Sequence, residues 1–131
     1  MNRVSLAGRT ERLSAAARPS PDRPLTSPRL KLENQRFEGT GGISVGNRLY
    51  GFLPAFRDSR TGLVYLSRFA DGRLAPVHLL HGLPADLACK TNAAGNVVAV
   101  HSSVTAGFVY EDRFYTREQA ANAVTSIGYR A

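Results

Sequence analysis

The chain has 131 residues, of which 43% are hydrophobic and 21% charged. This composition is close to that of an average globular domain, so it excludes a chain that is disordered throughout. No stretch approaches the roughly 18 consecutive apolar residues of a membrane span, and the apolar run after Met1 is too short for a secretory signal. Cys89 is the only cysteine, which excludes an internal disulfide. We therefore expect a cytoplasmic protein without a membrane partner.

The net charge of +7 is concentrated in the first quarter of the chain. Residues 1–36 contain eight basic and three acidic residues, whereas the remainder is nearly balanced. Almost all the cations are arginines, whose guanidinium groups bind phosphate or carboxylate bidentately. The coding bias of a GC-rich genome explains the same preference equally well, so the charge alone does not identify a partner.

The first segment is poor in the side chains that build a core. Four prolines fall close together, and each one fixes φ and removes a backbone donor (Pro19, Pro21, Pro24 and Pro28). Ordering each residue costs about 1–2 kcal/mol of backbone entropy, which the six scattered large aliphatic residues of this segment do not offset. The sequence therefore predicts a flexible, disordered basic arm over residues 1–42, with Gly39, Gly41 and Gly42 as its hinge.

From residue 43 the sequence alternates between apolar runs and turn residues. The runs at 48–53, 63–69, 74–80, 97–101 and 104–110 predict strands. The turns between them fall at 58–62, 71–72 and 92–96, which are rich in Asp, Asn and Gly. Residues 84–90 are compatible with one helical turn or a loop.

A C-terminal helix is the best-defined element of the sequence. Thr116 and Gln119 have the spacing of a capping box, and an apolar stripe follows them at helical intervals (Ala120, Ala123, Val124 and Ile127). We therefore expect residues 43–131 to form a single α+β domain, a small and mainly antiparallel sheet with one C-terminal helix.

The C-terminal hairpin carries a resemblance. Gly-Phe-Val at residues 107–109, followed by Arg-Phe-Tyr-Thr-Arg-Glu at 113–118, resembles a signature of small phage proteins without assigned function. The motifs at 51–56, 68–73 and 82–84 resemble uncharacterised proteins of bacterial integrative and conjugative elements. The resemblance covers roughly residues 49–127 and implies a mobile-element context, with no catalytic residues attached to it.

The residues capable of metal binding or covalent catalysis do not form a standard pattern. His78 and His81 lie three positions apart, which places them on opposite faces of a strand, and together with Cys89 and His101 they match no zinc spacing. Only Lys90 would activate Cys89 as a nucleophile, so a small buried apolar role is the expected one for this thiol. We expect no metal, no cofactor and no enzymatic activity.

Binding of nucleic acid is the function that the charge distribution favours. Arginines and one lysine of the arm would neutralise phosphates, and arginines of the first hairpins would extend this surface. Tyr50, Tyr65 and Phe69 would stack on bases if exposed, although the core is favoured for the last two. The candidate nucleic-acid-binding residues are Arg9, Arg12, Arg18, Arg23, Arg29, Lys31, Arg36, Arg48, Arg57, Arg60, Arg68 and Arg73.

The alternative is a protein-binding inhibitor or adaptor that acts on a host protein, such as a defence protein. Tyrosines and arginines are concentrated in interface hot spots, and both occur around the C-terminal hairpin. The candidate residues of this alternative interface are Tyr110, Arg113, Tyr115 and Arg117. The sequence thus predicts an accessory protein of a mobile element that binds nucleic acid or a nucleoprotein complex, with a host protein as the alternative partner.

Overall fold

The structure, a computed structural model, describes residues 23–130 and the side chains of residues 23–127. In this part of the chain the helices are α1 (Ser27–Arg36), α2 (Ser44–Asn47) and α3 (Arg117–Arg130). The strands are β1 (Leu25–Thr26), β2 (Leu53–Asp58), β3 (Val64–Leu66), β4 (Ala88–Thr91), β5 (Val97–Val100), β6 (Val104–Tyr110) and β7 (Arg113–Thr116). Single 3-10 turns occupy Arg48–Tyr50 and Ala85–Leu87.

The strands form two antiparallel sheets. The larger sheet has the order β3-β2-β6-β7, and the smaller one has the order β1-β5-β4. Strands β2 and β6 pair along their whole length, from Leu53 opposite Val109 to Asp58 opposite Val104. Together with the C-terminal helix, these sheets confirm the predicted small antiparallel α+β fold, and the structure adds that the strands are divided between two sheets.

Two apolar clusters hold the elements together. The larger cluster joins β1, α1, β2, β5 and β6 through side chains that include Leu30, Phe56 and Val100. The smaller cluster packs α3 against the larger sheet, with Ala120 seated on Phe52 and Phe108. Alternate residues of β6 supply both clusters, with Val104 and Ala106 in the larger and Phe108 in the smaller.

Residues 25–42 belong to the folded domain, so the prediction of a flexible arm over residues 1–42 is wrong for this part. Leu25 in β1 pairs with Val100 of β5, and Leu30 of α1 is buried in the larger cluster. The helix starts because the Thr26 hydroxyl accepts a hydrogen bond from the Arg29 amide at 3.2 Å, and Pro28 lies in the first turn, where a missing N–H costs nothing. Residues 1–22 lie outside the described residues.

Two of the predicted strands are absent from the described part of the chain. Residues 48–50 form a 3-10 turn, and the strand starts only at Leu53. Residues 74–80 cross the molecule as irregular chain, joined to the sheet region by a bridge between Arg68 and Leu74. Within this irregular segment, His78 and Leu80 are buried, which explains why it looks apolar without being a strand.

The C-terminal hairpin and helix confirm the prediction in detail. Glu111 and Asp112 both have positive φ values, as a two-residue turn between β6 and β7 requires. The Thr116 amide donates to the Gln119 side-chain oxygen at 2.9 Å, and the Gln119 amide donates to the Thr116 hydroxyl at 3.1 Å. These two bonds are the predicted capping box. Among residues 23–130, no helix combines the length and apolar character needed to cross a bilayer.

We predict that replacing Leu30 with alanine destabilises the whole domain. Leu30 is 4% exposed in the core, and removing a buried leucine side chain costs about 2–5 kcal/mol of unfolding free energy. Leu32 on the same helix is 60% exposed, so L32A is the matched control and changes the value by less than about 0.5 kcal/mol. Urea unfolding measures both, and equal stability of L30A and wild type would contradict the assignment of α1 to the core.

Candidate nucleic-acid interface

A groove of about 450 Å³ lies between α1 and the start of β6. One wall is formed by α1, and the other by residues 102–106, with the junction of β7 and α3 at the end. Arginines are its most frequent charged residues: Arg23, Arg29 and Arg36 line it together with Leu25, Leu32, Phe37, Thr105 and Thr116. The volume falls in the range of about 300–1,000 Å³ typical of clefts that hold small organic groups.

The groove exists because β7 is shorter than β6. Strand β7 pairs only with residues 107–110 of β6, and after Thr116 the chain turns into α3. Residues 104–106 therefore border the groove where a longer strand would have covered them. Helix α1 closes the other side because Leu30 anchors it to the core beneath.

Two of the three groove arginines are held by local contacts that keep their charge at the surface. Arg29 donates from Nη1 to the carbonyl oxygens of Arg23, at 3.3 Å, and Pro24, at 3.0 Å. The Arg36 guanidinium lies over the Phe37 ring, 5.6 Å from its centroid. Helix geometry places Arg29 and Arg36 about 10 Å apart along α1, because seven residues separate them at about 1.5 Å each.

Arg117 forms the floor of the groove and is 4% exposed. Its guanidinium donates to Glu33 Oε1 at 3.2 Å, to the Gly42 carbonyl oxygen at 2.9 Å and to Asn34 Oδ1 at 2.7 Å. A fourth contact joins Nη2 to Nδ1 of His78 at 3.2 Å. Burial lowers the pKa of Arg117, and the charge of Glu33 opposes that shift.

Two partners assign the protonation state of His78. Its Nε2 lies 2.6 Å from the carbonyl oxygen of Gly107, which only accepts, so Nε2 carries the proton. Its Nδ1 faces Nη2 of Arg117, which only donates, so Nδ1 is unprotonated and the ring is neutral. Burial, and then the charge of Arg117, lower the pKa of His78 to about 3.

The groove carries a net positive charge once its internal ion pair is removed. Glu33 is satisfied by Arg117, which leaves three arginines facing the single carboxylate of Glu118. Arg57 lies opposite Thr105 in the register of β2 and β6, and its exposed side chain adds a further cation at the border. The net positive charge of the groove favours binding of an anion, and the spread of its arginines suits an anion of at least the size of a phosphate group.

The remaining candidate cations lie elsewhere. Arg60 donates to Asp58, which is 1% exposed, and this hydrogen bond is the main reason that the Asp58 pKa is lowered. Arg73 is likewise paired with Asp71 in its turn, at 2.7 Å. These two arginines hold their own turns, so their charges are largely compensated.

Three further candidates are exposed but separate from the groove lining. Lys31 lies on α1, and Arg48 borders a shallow depression beside Leu53. Arg68 donates to the carbonyl oxygen of Gly72 at 2.7 Å. Arg9, Arg12 and Arg18 lie outside the described residues. Among the described candidates, the structure thus brings Arg23, Arg29 and Arg36 together in the groove lining and leaves the others outside it.

The aromatic candidates are mostly core residues. Phe52 stacks on Tyr110 at 4.3 Å and meets Tyr115 edge-on. Tyr65 packs against the larger cluster, and Phe69 lies under Arg73. Of the aromatic residues considered for base stacking, Tyr50 is exposed.

The predicted protein interface loses one of its four members. Tyr110, Arg113 and Tyr115 lie together on the β6–β7 hairpin, with Arg113 over the ring of Tyr115. Arg117 is unavailable to a partner because it is buried and its guanidinium is occupied by four neighbours. Its placement in an interface was therefore wrong.

The histidine and cysteine expectations also need correction. Cys89 is exposed on β4, where a buried apolar role was expected. His78 lies in the core between the rings of Phe56 and Phe108, on irregular chain where a strand was predicted. Within the described residues, no three side chains of His, Cys, Asp or Glu are grouped as metal ligands.

The sequence contains a local indication of helix α1, which forms one wall of the groove, although the proline-rich and aliphatic-poor composition of residues 1–42 favoured a disordered arm. Thr26 followed by Pro28 is a helix start, and Arg29 and Arg36 are seven residues apart, which puts them on nearly the same helix face. The burial of His78 had no local signal, because its partners Gly107 and Arg117 lie 29 and 39 residues away along the chain.

No protein-family model, no curated protein and no solved structure matches this chain. A function for this chain is therefore inferred from the groove, its charges and its shape.

We predict that His78 makes folding stability depend on pH. Unfolded His78 titrates near 6.5, whereas in the folded protein its pKa is about 3. Between these values the unfolded chain binds a proton that the folded chain does not. The stability is therefore fully present above about pH 6.5 and decreases as the pH falls, by up to about 1.4 kcal/mol per unit.

Urea unfolding from pH 7.5 down to about 5 measures this slope, in a window where the carboxylates remain mostly ionised. The control is His78→Gln, whose amide offers a donor to Gly107 and an acceptor to Arg117 without titrating. A flatter profile for H78Q is expected, and parallel profiles for the two proteins would contradict the neutral state of His78.

Proposed function

We propose that this protein binds nucleic acid, or a nucleoprotein complex, as a non-enzymatic accessory protein of a bacterial mobile element. The observation that carries the proposal is the convergence of Arg23, Arg29 and Arg36 on one groove. The mobile-element context rests on the resemblance of the C-terminal hairpin to phage proteins and of the motifs at 51–56, 68–73 and 82–84 to proteins of conjugative elements.

The chemistry of the groove supports phosphate as the recognised group. Guanidinium groups form bidentate hydrogen bonds with phosphate oxygens, and Thr105 and Thr116 supply hydroxyl groups on the opposite wall. Arg29 is held toward Arg23 and Pro24 before the start of α1, whereas Arg36 lies over Phe37 at its end, so a chain of phosphates satisfies the two guanidinium groups better than a single anion does. A nucleic acid backbone is such a chain.

We predict that the affinity for nucleic acid falls steeply with salt and depends on the groove arginines. Three phosphate contacts give a slope of about −2 to −3 for the logarithm of affinity against that of salt concentration. Arg29→Gln and Arg36→Gln each lower the affinity by about tenfold, because a hydrogen bond to a charged group contributes about 1.5–3 kcal/mol. Fluorescence anisotropy with labelled oligonucleotides measures both effects.

Matched controls separate the groove from general positive charge. Lys31→Gln removes one charge from the same helix outside the groove lining, and Arg73→Gln removes one from a distant turn. Both variants should bind nearly as well as wild type. Equal losses in all four variants would show diffuse electrostatic binding, and absence of binding at low salt would refute the proposed function.

A second candidate function, binding of a host protein, is favoured by exposed apolar side chains near Arg48. Leu53 and Leu74 are exposed and line one shallow depression, and further exposed aliphatic side chains stand at chain positions next to its lining: Leu49, which is 97% exposed, Val45 and Val77. Large exposed apolar patches of this kind mark protein interaction sites. The protein would then act as an inhibitor or adaptor on a host protein.

We predict for this second function that Leu49→Asp abolishes capture of one specific host protein from nuclease-treated lysate. Leu63→Asp is the control, since Leu63 is also exposed but lies at the far end of the β2–β3 hairpin. Capture that nuclease removes, or that L49D and L63D affect equally, would contradict a protein-binding role of this surface.

A further inference from the structure

The groove is concave, and its shape restricts which form of nucleic acid enters it. It is enclosed by α1 on one side, residues 102–106 on the other and Arg117 beneath. A double helix is a convex rod that presents its phosphates on the outside and keeps its bases stacked inside. A duplex therefore reaches only the rim of this groove, whereas a nucleotide released from a stack fits inside it.

The lining combines the surfaces that one nucleotide offers. Leu32, which is 60% exposed, provides apolar contact for the face of a base, and Thr105 and Thr116 provide hydroxyl groups for its polar edge. The volume of about 450 Å³ is that of a cleft for a group of this size. Arginines surround this mixed interior, which matches a base flanked by phosphates.

A flat cationic surface stands at the end of α1. The Arg36 guanidinium lies over the Phe37 ring, and the ring is fixed from behind because a Cβ atom on Gly42 would collide with it. Bases stack on aromatic rings and on guanidinium planes, and such stacking tolerates any base. Arg29, further along the helix, then faces the phosphate of a neighbouring nucleotide.

We propose that the ligand of this groove is single-stranded nucleic acid, with one unstacked nucleotide held against the Arg36–Phe37 pair. The inference rests on the proposed nucleic-acid-binding function and narrows it to single strands. It also excludes a free mononucleotide as the preferred ligand, since Arg36 stacks on the base of one nucleotide while Arg29 contacts the phosphate of its neighbour.

The test compares three probes on the full chain at one low salt concentration: labelled oligothymidylate, a mixed-sequence duplex of the same length and thymidine monophosphate. The expected result is that oligothymidylate binds at least about tenfold more tightly than the duplex, the difference that one stacked base supplies. The monophosphate binds far more weakly than the strand.

The variant Phe37→Leu keeps an apolar side chain against Gly42 and removes the ring. It should lower the affinity for oligothymidylate by about tenfold and leave the affinity for duplex unchanged. A second measurement does not depend on a variant that folds: an oligomer containing 5-iodouracil should photo-crosslink to the wild-type peptide that contains Phe37.

The outcomes separate the inference from the function beneath it. Duplex binding as tight as strand binding would overturn the inference and leave nucleic-acid binding in place. Monophosphate binding as tight as strand binding, or crosslinks only outside the groove, would also overturn it. No binding of any probe at low salt would remove both the inference and the proposed function.

Discussion

The buried guanidinium of Arg117 is the interaction on which the rest of the fold depends. It joins α1, the turn at Gly42 and the irregular segment at His78 to the start of α3. Removing one partner of such a buried, charged network costs about 3–5 kcal/mol, because the groups left behind have neither water nor a partner. Segments that are distant in sequence are thus fixed relative to one another by a single side chain.

The position of the groove follows from this network. Arg117 and Leu30 hold α1 against the sheet beside the uncovered half of β6, and the exposed face of the same helix carries Arg29 and Arg36. Because the Glu33 carboxylate forms an ion pair with Arg117, it does not neutralise the surface arginines on its own helix. The structural ion pair therefore decides how much positive charge the groove offers to a ligand.

Much of the C-terminal half could be predicted from the sequence because its information is local. The apolar alternation of β6, the turn at Glu111 and Asp112, and the capping box of Thr116 and Gln119 all lie within a few residues of the structure that they specify. Local propensity and tertiary packing agree there, which is the condition under which pattern and fold coincide.

The N-terminal half of the fold was harder to predict from the sequence, because its stability comes from partners that are distant along the chain. Strand β1 has only two residues and is defined by pairing with Val100, which follows it by 75 positions. Averaging the entropy cost over residues 1–42 also hid that the stretch around Leu30 reaches the core. The apolar segment at 74–80 resembles a strand in its sequence because several of its side chains are buried, although its backbone does not pair as a strand.

Arg117 itself shows where a sequence carries a usable sign of long-range structure. It is the first residue of α3, next to the positive end of the helix dipole, where a cation is unfavourable and an acidic residue such as Glu118 is preferred. A residue that opposes its local environment needs compensation from elsewhere, and here the carboxylate of Glu33 and the carbonyl oxygen of Gly42 provide it. Local preference and observed position disagree mainly where tertiary contacts determine the structure. A cation at the start of a well-capped helix therefore indicates that an anionic or carbonyl-rich partner is folded over that end. In this chain the partner is α1, the helix that brings the groove arginines into place.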